Sequence, residues 1–257
     1  MPAQKELTSY LDSLFAGYDC TADYSRNGLQ VECHGEVRKA AFSVDARQVV
    51  FDEAARIHAD YLFCHHGLFW GDGMTSLRGI DADRIRTLLK NNISLYAMHL
   101  PLDAHESAGN NAQLAELLGI APGDRRPFAL DRGIPGGVIA DSATGFDVDR
   151  IARTLEEELG TSCAIYHANG RRIFNRIAIV TGSGGGLLQE AAASGAELLV
   201  TGELGHSRSI TAQELNVAVV AAGHYATETL GPKAVMKRVQ EIFPDLECAW
   251  IDAPTSL

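Results

Sequence analysis

The chain has 257 residues, 46% hydrophobic and 21% charged, a balance that supports a hydrophobic core without disulfide or metal staples and excludes a disordered or collagen-like chain. Its 22 Lys and Arg against 33 Asp and Glu leave a formal charge of −11; without clustered cations to neutralise phosphates, nucleic acid is not expected as the main partner. Cys20, Cys33, Cys64, Cys163 and Cys248 are scattered and form no CxxC pair, which argues against a disulfide framework and a thiolate zinc site and fits a reducing cytoplasm. The opening MPAQKELTSYLDSLF lacks the regions of a signal peptide, and no apolar run approaches the ~20 residues of a membrane span. A soluble, cytoplasmic protein is expected.

In chain order, apolar strand-like runs alternate with helical periodicity. A strand is predicted over 40–44, with Asp45 as the cap of a helix over 48–58. Strands over 61–64 and 94–98 flank a helix over 81–90. The segment from His99 to Asp103 reads as a loop because of Pro101, and a helix over 110–118 ends at Gly119 and Pro122. After a Gly/Pro/Arg-rich junction at 122–127, a strand is predicted over 137–140 and a helix over 148–159. Strands follow over 163–167 and 177–181, then a helix over 187–194 and a strand over 198–201. A helix over 209–215, a strand over 217–222, a long helix over 227–242 and a strand over 248–251 complete the chain. This alternation predicts an α/β architecture with mixed or parallel sheets.

A shift of 137 positions lays 40–66 over 177–203 without a gap, so that FDEAARIHADYLF faces LQEAAASGAELLV and Asp60 meets Glu197. A second match, offset by 125, lays His99 and Asp103 over His224 and Glu228. The same order of strand, helix, strand and polar cluster twice over predicts an internal duplication, in which the polar clusters at the strand ends converge.

The strongest cluster is Cys64-His65-His66-Gly67. An isolated histidine pair is commonly a surface or core feature, but at the C-terminal end of a strand two imidazoles can splay toward neighbouring ions. His224 and Glu228, four apart, share one face if a helix starts directly after the strand. With Asp103 they make a nitrogen and oxygen donor set without sulfur, suited to Zn, Mn, Fe, Co or Ni. Glu203, in TGELGH, stands where the repeat puts the histidine pair, as a general base or a carboxylate beside the ligands; a helix-start carboxylate is the plain alternative. The glycine loop 182–186 fits no GxGxxG or P-loop pattern; it reads as a tight strand–helix turn whose amides would orient phosphate if they faced the site. Asn27-Gly28-Leu29-Gln30-Val31 alone reads as a hairpin turn. Cys64 beside histidines suggests a nucleophile, an assignment that metal binding by both imidazoles would defeat.

NGLQV, HHGLFW, HLPLDA, TGELGH and GHYATETLG, in that order, resemble the YbgI-like, Nif-three-type dinuclear metal-centre proteins, many of which carry the name GTP cyclohydrolase 1 type 2 homologue. The likeness spans nearly the whole chain. HHG replaces the usual HHP; glycine there frees the turn and keeps both ligands. The resemblance implies two related lobes, residues 1–125 with 223–257 and residues 126–222, with a two-metal site in the cleft. It implies His65 and Asp103 on one ion, His66 and His224 on the other and Glu228 bridging, with His99 and Glu203 beside the ligands. It also implies a toroidal homohexamer.

Three functions follow as expectations. The first is a metal-dependent hydrolase of a nucleotide or small phosphorylated substrate. The second is a non-enzymatic metal-binding scaffold. The third, a ring around nucleic acid, would need Arg125, Arg126, Arg171 and Arg172 to form a locally basic surface.

Overall fold

The computed structural model describes residues 1–71, 73, 76–131 and 133–255. In chain order the elements are α1 (Gln4–Leu14), β1 (Gly28–Val31), β2 (Lys39–Asp45), α2 (Gln48–Arg56), β3 (Tyr61–His66), α3 (Gly79–Lys90), β4 (Ser94–Ala97), α4 (Leu100–Ala104), α5 (Asn110–Leu117), β5 (Arg125–Asp131) and β6 (Ile134–Asp147). There follow α6 (Val148–Leu159), β7 (Ala164–Tyr166), β8 (Ile173–Val180), α7 (Leu188–Ala193), β9 (Leu198–Thr201), α8 (His206–Leu215), β10 (Ala218–Ala221), α9 (His224–Glu228), α10 (Leu230–Ile242) and β11 (Glu247–Trp250). The chain divides into two compact units, Met1–Leu102 with Gly231–Ala253, and Asp103–Leu230 with Pro254–Leu257.

The first unit holds a mixed sheet in the order β1-β4-β3-β2-β11, parallel except for β1. The inner strands are buried along almost their whole length, because both faces are covered, and that is why they read as continuous apolar runs. On one face Val50, Phe51 and Ala54 of α2 and Ile85 and Leu88 of α3 pack on Ala41, Leu62, Cys64 and Leu95. On the other, Phe42, Phe63 and Tyr96 form a row of rings 5.7 and 5.8 Å apart. There α1 docks through hydroxyls: Tyr96 donates to Asp12 at 3.1 Å, and Thr8 meets Tyr61 at 2.9 Å.

The second unit holds a sheet in the order β5-β6-β8-β9-β10-β7, with β8, β9 and β10 parallel. Here α5 supplies Leu114 and Ala115 to a core with Ile177, Ile179, Leu198 and Val200. Taken from β1 and from β7, each an antiparallel edge strand, the two sheets run in the same order: β1-β4-β3-β2 in the first and β7-β10-β9-β8 in the second, where β5 and β6 add an antiparallel pair at the far edge. The registers agree as well, Ala40 pairing with Tyr61 and Ile177 with Leu198. Two related α/β units with mixed sheets and flanking helices are therefore present.

Four local expectations are corrected. Pro101 does not force a loop; it sits in the first turn of α4, where a missing N–H removes no helical bond. The helix expected over 227–242 is two, α9 and α10, because Pro232 cannot donate to the carbonyl four residues back. The junction at 122–127 contains the start of β5, whose Pro127 is tolerated because β5 is an edge strand. Asp45 does not cap α2, which starts after Arg47; it ends β2 opposite His66.

Candidate metal centre

In the first unit β3 carries His65 and His66 at its C-terminal end, and β4 leads through Met98 to His99. Their rings lie 4.5, 5.1 and 5.5 Å apart, and each offers a nitrogen within 4.8 Å of the other two. Each Nδ1 is held by an acceptor. His65 Nδ1 meets the carbonyl of Met98 at 2.9 Å, His66 Nδ1 the carboxylate of Asp45 at 2.8 Å, and His99 Nδ1 that of Asp23 at 3.0 Å. Carbonyl and carboxylate oxygens only accept here, so Nδ1 is the donor in all three rings, and a ring in its neutral form carries its lone pair on Nε2. This tautomer control is what metal-binding histidines require.

The support for His99 comes from Asp23, whose side chain is wholly buried. Asp23 also accepts from the backbone N–H groups of Ser25 and Leu100 and from the Asn27 amide. Burial raises its pKa, but the hydrogen bond and charge of His99, with the bonds from Asn27 and Ser25, outweigh that and hold it at about 2. Asn27 accepts in turn from the His99 N–H at 2.7 Å. NGLQV is not the hairpin turn expected: Gly28–Val31 form β1, whose partner is the remote β4, and Asn27 just ahead of it supports the histidine cluster. Within β1, Gln30 accepts from the Leu68 N–H at 2.7 Å, and a Cβ on residue 67 would overlap the Gln30 amide. Gly67 therefore serves close approach, not turn freedom; its φ is not among the positive values. Asp23, Asp45 and Trp70 lie against this cluster and none was expected there: Asp45 reads in the sequence as a helix cap, and Trp70 only as part of HHGLFW.

In the second unit His224 opens α9 and Glu228 closes it. His224 Nε2 meets Glu228 at 3.1 Å, and its Nδ1 meets Glu203 at 3.3 Å. Carboxylate oxygens of Asp103 and Glu228 come within 4.8 Å of each other. Asp103 accepts from Asn110 at 2.8 Å and from Thr181 at 3.5 Å. The Glu228 hydrogen bond, against desolvation, and then the charges of Glu228 and Glu203 push His224 up to about 9. A metal binding there displaces that proton.

The glycine loop is the tight strand–helix turn expected, running from the end of β8 to α7. The N–H of Thr181 donates to Asn111, that of Gly182 to Thr227 and that of Gly186 to Ser183. Two of its glycines give clearance: Cβ atoms at 182 and 184 would overlap Glu228 and Val180. The cysteine nucleophile fails, since Cys64 is wholly buried and burial raises its thiol pKa well above the usual value. Arg125, Arg126, Arg171 and Arg172 are each paired, with Glu116, Asp141, Glu197 and Asp149. Among the described residues no helix is long and apolar enough to cross a membrane.

Residues 2–256 match the model of the Duf34/NIF3 (NGG1p interacting factor 3) family. A protein of Pyrococcus abyssi named GTP cyclohydrolase 1 type 2 homolog is 41% identical over 254 residues, covering 99% of both chains. One of the same name from Escherichia coli strain K12 is 38% identical over 234 residues, 91% of both chains. Among solved structures, the protein ybgI superposes with a TM-score of 0.88 at 34% identity over the full length of both chains. Reduced HcgD from Methanocaldococcus jannaschii gives 0.85 at 25% identity over 98% of each.

Proposed function

The chain belongs to the Duf34/NIF3 family, and from that premise we propose that it is a dinuclear metal-dependent hydrolase of a nucleotide or another small phosphorylated molecule. His65 and Asp103 are assigned to one divalent ion, His66 and His224 to the other, and Glu228 to both. The observation that carries the reading is the fixing of Nδ1 in both assigned histidines of β3, His65 by the Met98 carbonyl and His66 by Asp45. Nitrogen and oxygen donors without sulfur suit Zn, Mn, Fe, Co or Ni. Such ions supply Lewis-acid polarisation and neutralise charge developing at a reacting group.

The chain's own residues hold and move protons around them. Asp45 and the Met98 carbonyl keep the proton of His66 and His65 on Nδ1. Glu203, anchored on His224 and 37% exposed in its side chain, is assigned as the proton acceptor of the hydrolytic step. His99 stands beside the ligands and is not counted among them. The GTP cyclohydrolase names of the relatives favour a nucleotide. A toroidal homohexamer belongs to the same proposal through the family resemblance.

Elemental analysis with turnover assays tests the assignment. Glu203→Gln should keep both ions and lose about 10²–10⁴-fold in rate, whereas His224→Ala should lose ion and turnover together. Wild-type metal content in both His66→Ala and Glu228→Ala would overturn it. If the metal-loaded protein hydrolyses neither GTP nor any phosphomonoester in a broad panel, the scaffold reading takes its place.

A further inference from the structure

Immediately after the histidine pair the chain turns Leu68 and Phe69 into the core, but Trp70 stays 40% exposed. This indole is not a loose surface side chain. Its Nε1–H donates to the Gly67 carbonyl at 2.8 Å. Its backbone is bridged to Ser25, and the flanking bonds Gly71 N–H to Tyr24 and Arg26 N–H to Phe69 measure 2.8 and 2.9 Å. The ring centroid lies 5.0 Å from that of His99, edge-on at 74°, and 6.1 Å from that of His66. Single exposed aromatics are ordinary. An indole fixed at both backbone and tip, against two imidazoles of a metal-donor cluster, is not explained by chance exposure.

We propose that Trp70 is a ring-stacking surface for the ligand of this cluster, so that the ligand carries a planar aromatic ring of the nucleobase class beside its metal-binding group. The proposal deepens the reading above and rests on it. Stacked and edge-on aromatic pairs hold their centroids about 4.5–7 Å apart, so a ligand engaged by the cluster is within reach of the indole. A phosphorylated sugar would leave that apolar surface wet, whereas a base covers it. The remainder of the ligand is selected elsewhere; Trp70 selects the ring.

The test uses the intrinsic fluorescence of Trp70 in a Trp250→Phe protein, since the chain has two tryptophans. The manganese-loaded protein is titrated with guanosine 5′-monophosphate and with ribose 5-phosphate. The nucleotide should quench the indole and bind about ten-fold or more tightly than the sugar phosphate. In an otherwise wild-type protein, followed by calorimetry, Trp70→Leu should reduce nucleotide affinity to that of the sugar phosphate and keep the metal content. Trp70→Phe, which lacks the Nε1–H bond but keeps a ring, should retain most of the preference. Equal affinities for the two probes on metal-loaded wild type, no binding of either, or an unchanged preference in Trp70→Leu overturns the role of Trp70. Absence of bound metal in the wild type instead overturns the metal reading itself.

Discussion

The carboxylate of Glu228 fills the space that a Cβ on residue 182 would occupy. Gly182 stands at the strand end where the repeat puts Asp45 in the first unit. There a carboxylate holds His66; in the second unit the side chain is absent, and α9 brings its own carboxylate into the cleared volume. The duplicated scaffold thus carries two different solutions at one position.

Gly182→Ala should therefore displace Glu228 and lower metal content. Its φ of +61° adds a left-handed penalty of about 1–2 kcal/mol for any residue with a Cβ. Gly186→Ala, where nothing lies within 4 Å of the added atom, is the control and should keep metal and stability. Elemental analysis and thermal melts of both decide the matter. Full metal content in Gly182→Ala would show that Glu228 does not need this clearance.

Asp45→Asn keeps the size of the group on His66 but removes its charge. Loss of such a carboxylate partner typically costs about 10–100-fold in metal affinity. Chelator competition should show a drop in that range, with the fold intact by circular dichroism. An affinity equal to wild type would leave Asp45 as a strand-end residue only.

Asp23 sets a pH dependence. Its folded pKa, about 2, lies below the ordinary carboxylate value, so its stabilisation is complete above a pH of about 4 and is lost as the pH falls through about 2. The difference is worth about 2 kcal/mol. Urea unfolding at stepped pH should show an acid limb in wild type that is flatter in Asp23→Asn. Identical limbs would assign the acid sensitivity to other carboxylates.

Much of the scaffold was legible because each strand–helix–strand unit obeys local rules. Asp60 and Glu197, matched by the repeat, each accept a backbone N–H from the residue 22 positions earlier, Arg38 at 2.8 Å and Asn175 at 2.7 Å. Paired carboxylates of that kind show in a self-alignment. The antiparallel strand β5 did not show, because an edge strand tolerates Pro127 and needs no strict alternation. Asp23 and Asn27 were equally hidden. Their partner is His99, more than 70 positions away, and nothing in the local pattern of a turn marks which strand end it will support.

By itself the sequence determined the alternation of strands and helices, the duplication, and the residue types that suit a metal, since these depend on periodicity, repetition and donor chemistry. Tertiary structure decided what each donor's neighbours do. Which nitrogen of each histidine carries the proton follows from acceptors that other strands and loops bring to Nδ1. Why residue 182 is glycine follows from a carboxylate arriving on a helix 46 positions further on. Such relations depend on distances between segments remote in the chain, and local residue preference does not encode them.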